Sequence, residues 1–339
     1  MPALRKSRTG RSACAICLVF LFFRINTQGA RTQTEKAAPK QSGRITHTYT
    51  DEAGRKVQIP EVVDRVVSLA PNLTEIVFAL GDGSHLAGDT DFCDYPPEAT
   101  QKPHVGGPVN PNLEMIVSLM PDLVLATSMN RRETVNALDH MGLPVYYVTF
   151  PHSVEEMITS VEHTGTALGE TESAALLAGD LRARLADIDR RLAGAAPRRV
   201  LFVVWTDPLI SVGRDTFIAD ALRRAGGRSV LETKDEWPRI SLEEIVRVQP
   251  EVLVFASAHA GNTQREIDAL RTRPGWRKLE AVQHGHIVVV SDAINRPAPR
   301  LVDAIENLAR ALHPEAFTSR AAPAVDSHPA VEEACACVL

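Results

Sequence analysis

Trp205 and Trp237 are two of only three tryptophans in a chain of 339 residues with 5% aromatic content, and both sit among acids and prolines, in Trp205-Thr206-Asp207-Pro208 and Asp235-Glu236-Trp237-Pro238. Aspartate and proline mark turns. A tryptophan in a turn exposes an apolar face suited to stacking on a flat ligand. The stretch Thr90-Asp91-Phe92-Cys93-Asp94-Tyr95-Pro96-Pro97 has the same character, and Ser291-Asp292-Ala293-Ile294-Asn295-Arg296-Pro297 adds charge. Phe92, Asp94, Tyr95, Trp205, Trp237, Asp292 and Arg296 are therefore the candidate ligand-binding residues, with Phe150 and Asp207 on loops of the same kind. Either tryptophan alone would serve equally well as a core cap; the pair, with Phe92 opposite, points to a cleft.

Catalytic signatures are missing. The chain has no His-Glu-x-x-His, no Gly-Lys-Ser/Thr phosphate loop and no nucleophile elbow, so no catalytic residue and no catalytic cofactor are expected, and a secreted α/β enzyme is the weaker reading. Gly81-Asp82-Gly83 ends a helix rather than opening one and lacks the third glycine of a dinucleotide fingerprint. His284-Gly285-His286 precedes a strand and reads as a turn. Cys93 is a weak candidate ligand for a soft metal, but Asp91 and Asp94 disfavour its thiolate, and a spectator thiol is the simpler assignment.

Arg5, Lys6, Arg8 and Arg11 precede the apolar run Ala13–Phe23, and small residues follow at Gly29 and Ala30. That is the layout of a secretory signal over residues 1–30. Its removal, with Arg24, takes the net charge from −5 to about −10. An acidic exported protein is a poor partner for nucleic acid. Cys14 and Cys17 fall in the signal, at the edge of the apolar run, where lipid attachment is conceivable; Cys93, Cys335 and Cys337 make an odd set that describes no disulfide framework.

The elements that must position the cleft loops are organised by a duplication. Asn112-Leu-Glu-Met-Ile-Val-Ser-Leu-Met-Pro-Asp-Leu-Val-Leu-Ala126 and Ser241-Leu-Glu-Glu-Ile-Val-Arg-Val-Gln-Pro-Glu-Val-Leu-Val-Phe255 share one pattern: an N-cap, a glutamate in the first turn (Glu114 or Glu243), a short helix, a proline and a buried strand. Strands are also expected at Arg65–Leu69, Leu86–Asp89, Val105–Gly107, Val145–Val148, Arg199–Val204, Ser229–Leu231 and Ile287–Val290, with helices between them. This alternation predicts two doubly wound α/β lobes. Leu177, Leu181, Leu185, Ile188 and Leu192 form one stripe of a helix over 171–192, roughly 30 Å long, between the two copies of the repeat. The expected organisation is a signal (1–30), a leader and small hairpin (31–61), an N-terminal lobe (62–168), a connecting helix (169–197), a C-terminal lobe (198–317) and a disordered tail (318–339), with the ligand cleft between the lobes.

From Arg65 to Leu312 the chain resembles the substrate-binding proteins of ABC importers, in the iron-siderophore and cobalamin family, and within it the cobalamin-binding branch. The motifs are Ser68-Leu-Ala-Pro-Asn-Leu-Thr-Glu75, Asp94-Tyr-Pro-Pro97, Val105-Gly-Gly107, Asn112-Leu-Glu114 with Met120-Pro121-Asp122, Trp237-Pro238, and Ser291-Asp292 with Pro299-Arg300. The resemblance implies the helical-backbone periplasmic-binding-protein fold and a corrinoid such as cobalamin held by Phe92, Trp237, Asp292 and Trp205. It also implies a monomer that is exported, periplasmic or attached to the membrane surface. Its partners would be a membrane permease and its ATPase, with Glu114 and Glu243 meeting permease arginines. Phe92, Pro108 and Ala293 stand where the branch can carry other aromatics. Within the same class, the alternatives are a ferric siderophore, calling on Arg296 with Arg131 or Arg214, and haem, calling on Tyr95.

Overall fold

The computed structural model describes residues 45–257 and 263–318. The expected secretory segment with Cys14 and Cys17, the leader to residue 44, the loop His259-Ala260-Gly261 and the C-terminal stretch with Cys335 and Cys337 lie outside the described residues.

Strands β1 (Thr46–Thr50) and β2 (Lys56–Pro60) form an antiparallel hairpin. Asp51 closes its turn, accepting from the backbone N–H of Ala53 at 3.0 Å and of Arg55 at 2.8 Å. Then follow β3 (Val66–Ser68), α1 (Pro71–Ala79), β4 (Leu86–Gly88), α2 (Leu113–Ser118), β5 (Leu123–Thr127), α3 (Arg132–His140) and β6 (Val145–Val148). Helices α4 (Val154–Leu168) and α5 (Thr171–Arg191) lead to the second lobe. It contains β7 (Arg198–Val203), β8 (Trp205–Thr206), β9 (Leu209–Ile210), α6 (Phe217–Arg224), β10 (Gly227–Ser229), α7 (Leu242–Val248), β11 (Val252–Ala256), α8 (Thr263–Leu270), α9 (Glu280–Gln283), β12 (Ile287–Val290), α10 (Leu301–Leu312) and α11 (Pro314–Phe317).

Each lobe is built on a four-stranded parallel sheet, ordered β4-β3-β5-β6 in the first and β10-β7-β11-β12 in the second. Relative to chain order the two sheets have the same arrangement, which is the duplication expressed as topology. The pleat sends alternate residues to opposite faces. Leu123 and Leu125 of β5, with Val252 and Val254 of β11, enter one core shared by both lobes, while Val124 and Ala126, or Leu253 and Phe255, pack under the outer helices of their own lobe.

Helix α5 contributes to the continuity of that core. Ala174, Ala178, Leu181, Leu185 and Ile188 are buried, and ion pairs fix the helix on both sides. Arg182 donates to Glu155 and Glu162 of α4 at 2.8 and 2.7 Å, and Arg184 to Glu306 and Asp303 of α10 at 3.1 and 2.5 Å. Helices α4 and α5 approach so closely at Gly165 that a Cβ there would lie 2.3 Å from the Cβ of Ala174.

Two expected strands differ. Val105–Gly107 forms no strand, only isolated bridges Asp89–His104 and Gly106–Pro111; Pro103, Pro108 and Pro111 remove the donors that a ladder would need. The edge strand expected at Ser229–Leu231 begins earlier, at Gly227, because Gly226 at φ 78° ends α6 and the chain pairs at once with β7.

Candidate ligand site between the lobes

The duplicated segment is matched in atomic detail. Asn112 caps α2, accepting from Met115 N–H at 3.0 Å, and Ser241 caps α7, accepting from Glu243 N–H at 3.2 Å. Glu114 and Glu243 are exposed in the first turns. At the far ends Arg65 donates to the Leu119 carbonyl at 2.9 and 2.7 Å, and Arg199 to the matching Val248 carbonyl at 3.1 Å. Met120 (φ 47°) and Gln249 (φ 52°), the non-glycine residues with positive φ among those described, occupy the same place in the two copies, each just before the proline. Such a conformation costs a non-glycine residue about 1 kcal/mol or more, and the arginine on the preceding carbonyl helps to hold it. Both acids thus stand on equivalent, tightly closed helical turns.

The loops at the carboxyl ends of the strands carry the aromatic residues outward: Phe92 is 59% exposed, Tyr95 45%, Trp205 61% and Trp237 50%. Trp205 lies on the β8–β9 hairpin, and its indole N–H donates to the Asp207 carbonyl at 2.8 Å. The donor is satisfied within the turn, leaving the ring face open. The Trp237 loop hangs from the same hairpin, with Ile240 N–H on the Leu209 carbonyl at 3.0 Å and Ser211 N–H on the Pro238 carbonyl at 3.2 Å. A cavity of about 360 Å³ beside Trp205 is lined by Asp207, Phe255, Ser257, Arg273 and Asn295. Within it Arg273 donates to Asp207 at 2.7 Å and Thr206 at 3.2 Å.

Tyr95 does not line that cavity. It lines a separate one of about 300 Å³ with Phe78, Leu177 and Arg300, where α1, α5 and α10 meet. Phe150 also leaves the group, packing edge-on against Phe217 at 6.0 Å in the shared core. Arg214 lines another cavity, of about 540 Å³, which runs along α6 and edge strand β10 away from the aromatic loops.

Between the lobes lies a charge cluster. Arg300 grips Glu75 of α1 with two hydrogen bonds, 2.7 and 2.9 Å, touches Asp292 at 3.3 and 3.5 Å, and stacks over the Tyr95 ring at 4.4 Å. Arg296 donates to the Phe92 carbonyl at 3.2 Å and faces both Asp94 oxygens at 3.4 Å. Asp94 and Arg296 are thus partners of each other, whereas Asp292 is held by Arg300. Burial pushes the Glu75 carboxyl up, and the Arg300 hydrogen bonds offset only part of that rise. Sequence reasoning passed over Glu75 and Arg300 as site residues. The available signal was a lone acid in Pro-Asn-Leu-Thr-Glu-Ile-Val-Phe-Ala, a helix buried along most of its length.

Cys93 is buried, with its thiol against the Thr74 and Thr90 hydroxyls at 3.2 Å each. Burial pushes that thiol up to about 11, which disfavours the thiolate that a soft metal would need. Among the described residues no group of three or more His, Cys, Asp or Glu could hold a metal ion. Asp89, wholly buried at the root of the Phe92 loop, meets His104 Nδ1 at 2.7 Å, and burial pushes its carboxyl up to about 6.

Two similar α/β lobes, packed on one shared core and bridged by a helix, define a two-lobed solute-binding protein. The chain belongs to the periplasmic binding protein family, which residues 66–293 match. It is 29% identical over 293 residues to the "Uncharacterized ABC transporter substrate-binding lipoprotein YvrC" of Bacillus subtilis, covering 84% of this chain and 91% of that one. It is 31% identical over 249 residues to the vitamin B12-binding protein of Vibrio parahaemolyticus, covering 72% and 88%. Among solved structures, the periplasmic haem-binding protein RhuT from Roseiflexus sp. RS-1 superposes with a TM-score of 0.66 at 28% identity, covering 75% and 99%. The fold is that of these proteins, as the alternation of strands and helices predicts.

Proposed function

We propose that this protein is the exported substrate-binding component of an ABC importer, that it captures a corrinoid between its lobes, and that it delivers this ligand to a membrane permease and its ATPase. One observation carries the ligand class: the loops expose Phe92, Trp205 and Trp237, while Arg273, Arg296 and Arg300 each already face a carboxylate. A corrinoid is broad, partly apolar and rimmed by amides, so it asks for ring faces and hydrogen bonds rather than free cations. An anionic siderophore or the propionates of haem would have to displace Asp94, Asp207 or Glu75 from those arginines. The likeness to a vitamin B12-binding protein supports the same reading. Phe92, Trp205 and Trp237 would contact the ring system, with Asp94 and Asp292 at its edge.

A second reading, haem, is favoured by one feature, the exposed phenol of Tyr95, together with the likeness to a haem-binding protein. Calorimetric titration with cobalamin, cobinamide, haemin and ferric siderophores separates the two. Binding of either corrinoid at micromolar concentration is expected; haemin binding without corrinoid binding would transfer the assignment.

Delivery would use Glu114 and Glu243. Their equivalent helical turns, one per lobe, let a single rigid body offer two carboxylates to basic sites on a permease. The cationic and apolar N-terminal stretch and the lipoprotein relative support an extracytoplasmic location.

A further inference from the structure

We infer that Arg296 and Arg300 are positioning residues: carried on the C-terminal lobe, they form a two-point clamp that holds the Phe92–Tyr95 wall of the N-terminal lobe in its ligand-binding position. The inference rests on the cleft reading above for its effect on affinity, but the clamp itself is argued from contacts alone. The root of the wall is fixed within its own lobe, by Cys93 N–H on the Thr90 carbonyl at 3.0 Å, Asp91 N–H on the Gly106 carbonyl at 3.1 Å and the buried thiol of Cys93. Its tip reaches toward the other lobe. There the Phe92 carbonyl accepts from Arg296 at 3.2 Å, Asp94 faces the same guanidinium, and the Tyr95 ring lies under Arg300 at 4.4 Å.

The carrier of the two arginines is stiff. In Arg296-Pro297-Ala298-Pro299-Arg300 two prolines fix φ, Ala298 N–H donates to the Arg296 carbonyl at 2.8 Å and Leu301 N–H to the Ala298 carbonyl at 2.8 Å. Pro297 and Ala298 are buried, and the segment runs straight into α10, whose Leu301 and Val302 are fully buried. A displacement of α10 therefore moves both grips together. Arg300 is in turn locked by Glu75 of α1, so the clamp is referenced to the lobe whose wall it holds. Three of the guanidinium partners are carboxylates of the protein itself, which is how a clamp is built rather than how an open ligand subsite is built.

The test reads local order and affinity separately. Hydrogen exchange of the unliganded protein is followed in peptides covering 65–80, 90–97 and 171–192, in the wild type, Arg296→Ala and Arg300→Lys. A long ion pair with a partly exposed partner adds little to global stability, so Arg296→Ala should speed exchange in 90–97 by about five-fold or more and leave 171–192 unchanged. Arg300→Lys keeps the charge, loses the planar fork and should speed 90–97 as well. Exchange unchanged in 90–97, or accelerated equally in all three segments, overturns the clamp. With cyanocobalamin as probe, Arg296→Ala should raise Kd about ten-fold, and Phe92→Ala should add less in that background than in the wild type. Strictly additive effects overturn the positioning role. A wild type that ignores cyanocobalamin sinks the corrinoid reading alone and leaves exchange to decide the clamp.

Discussion

Replacing Glu75 with glutamine probes how the two lobes are held together. The Glu75 side chain is 3% exposed and that of Arg300 12%, and two short hydrogen bonds of 2.7 and 2.9 Å join them across 225 positions of sequence. Glutamine keeps the volume and removes the charge. Of its carboxylate partners the guanidinium then keeps only Asp292, at 3.3 and 3.5 Å and better exposed to solvent. Breaking one half of a buried pair costs about 3–5 kcal/mol; the surviving Asp292 contact places this case near the lower end, about 3 kcal/mol. Urea unfolding is the assay, with the midpoint falling and the slope unchanged, since the area exposed on unfolding stays the same. Replacing both partners together, Glu75→Leu with Arg300→Met, removes the stranded charge and should recover most of the loss. A single variant that costs under about 1 kcal/mol, or a double variant as unstable as the single one, would refute the claim that this pair is a buried interlobe tie.

Other consequences follow from the same geometry. Glu114→Ala with Glu243→Ala should abolish uptake in transport-competent cells or vesicles while leaving soluble ligand affinity unchanged; equal loss of affinity would remove the docking assignment. Asp89, pushed from 3.8 to about 6, holds a proton in the folded state that the unfolded chain releases, so its contribution to stability is present below about pH 4 and lost as pH rises through about 6. That contribution amounts to roughly 3 kcal/mol. Asp89→Asn should flatten the pH dependence of Tm across that window, and an unchanged slope would contradict the burial argument. Gly165→Ala would set a Cβ 2.3 Å from that of Ala174 and should cost about 1–3 kcal/mol by overpacking, seen as a lower urea midpoint; a neutral substitution would mean that α4 and α5 can separate freely.

Much of the fold was legible because local signals and tertiary packing agree. Val145–Val148 and Ile287–Val290 are strands with the bounds expected from the sequence, being β-branched or aromatic runs between turn residues. The caps Asn112 and Ser241 were equally plain, as were Leu181, Leu185 and Ile188 of the α5 stripe, while Leu177 and Leu192 are only partly buried and Ala174 and Ala178 complete the buried face. Val105–Gly107 misled because its apolar character outweighed three prolines that deny it a ladder. The aromatic residues were legible as exposed loop residues, yet their grouping was not. Tyr95 turns toward α1, α5 and α10 rather than toward Trp205, a choice made by Arg300 far along the chain. Long-range ion pairs of this kind leave no period in a sequence. The arginines that close the repeated helices, Arg65 and Arg199, were hidden for the same reason, each lying about fifty residues from the carbonyl that it holds.

The central claim concerns the ligand, and tryptophan fluorescence addresses it directly. Trp205 and Trp237 are exposed on the cleft-side loops, so a chelate bound against them would lie closest to these two rings. Titration of the mature protein with cobalamin and cobinamide should give saturable quenching at micromolar concentration or below, lost in Trp205→Ala with Trp237→Ala. No saturable quenching by either corrinoid, alongside saturable quenching by haemin or a ferric siderophore, would contradict the account.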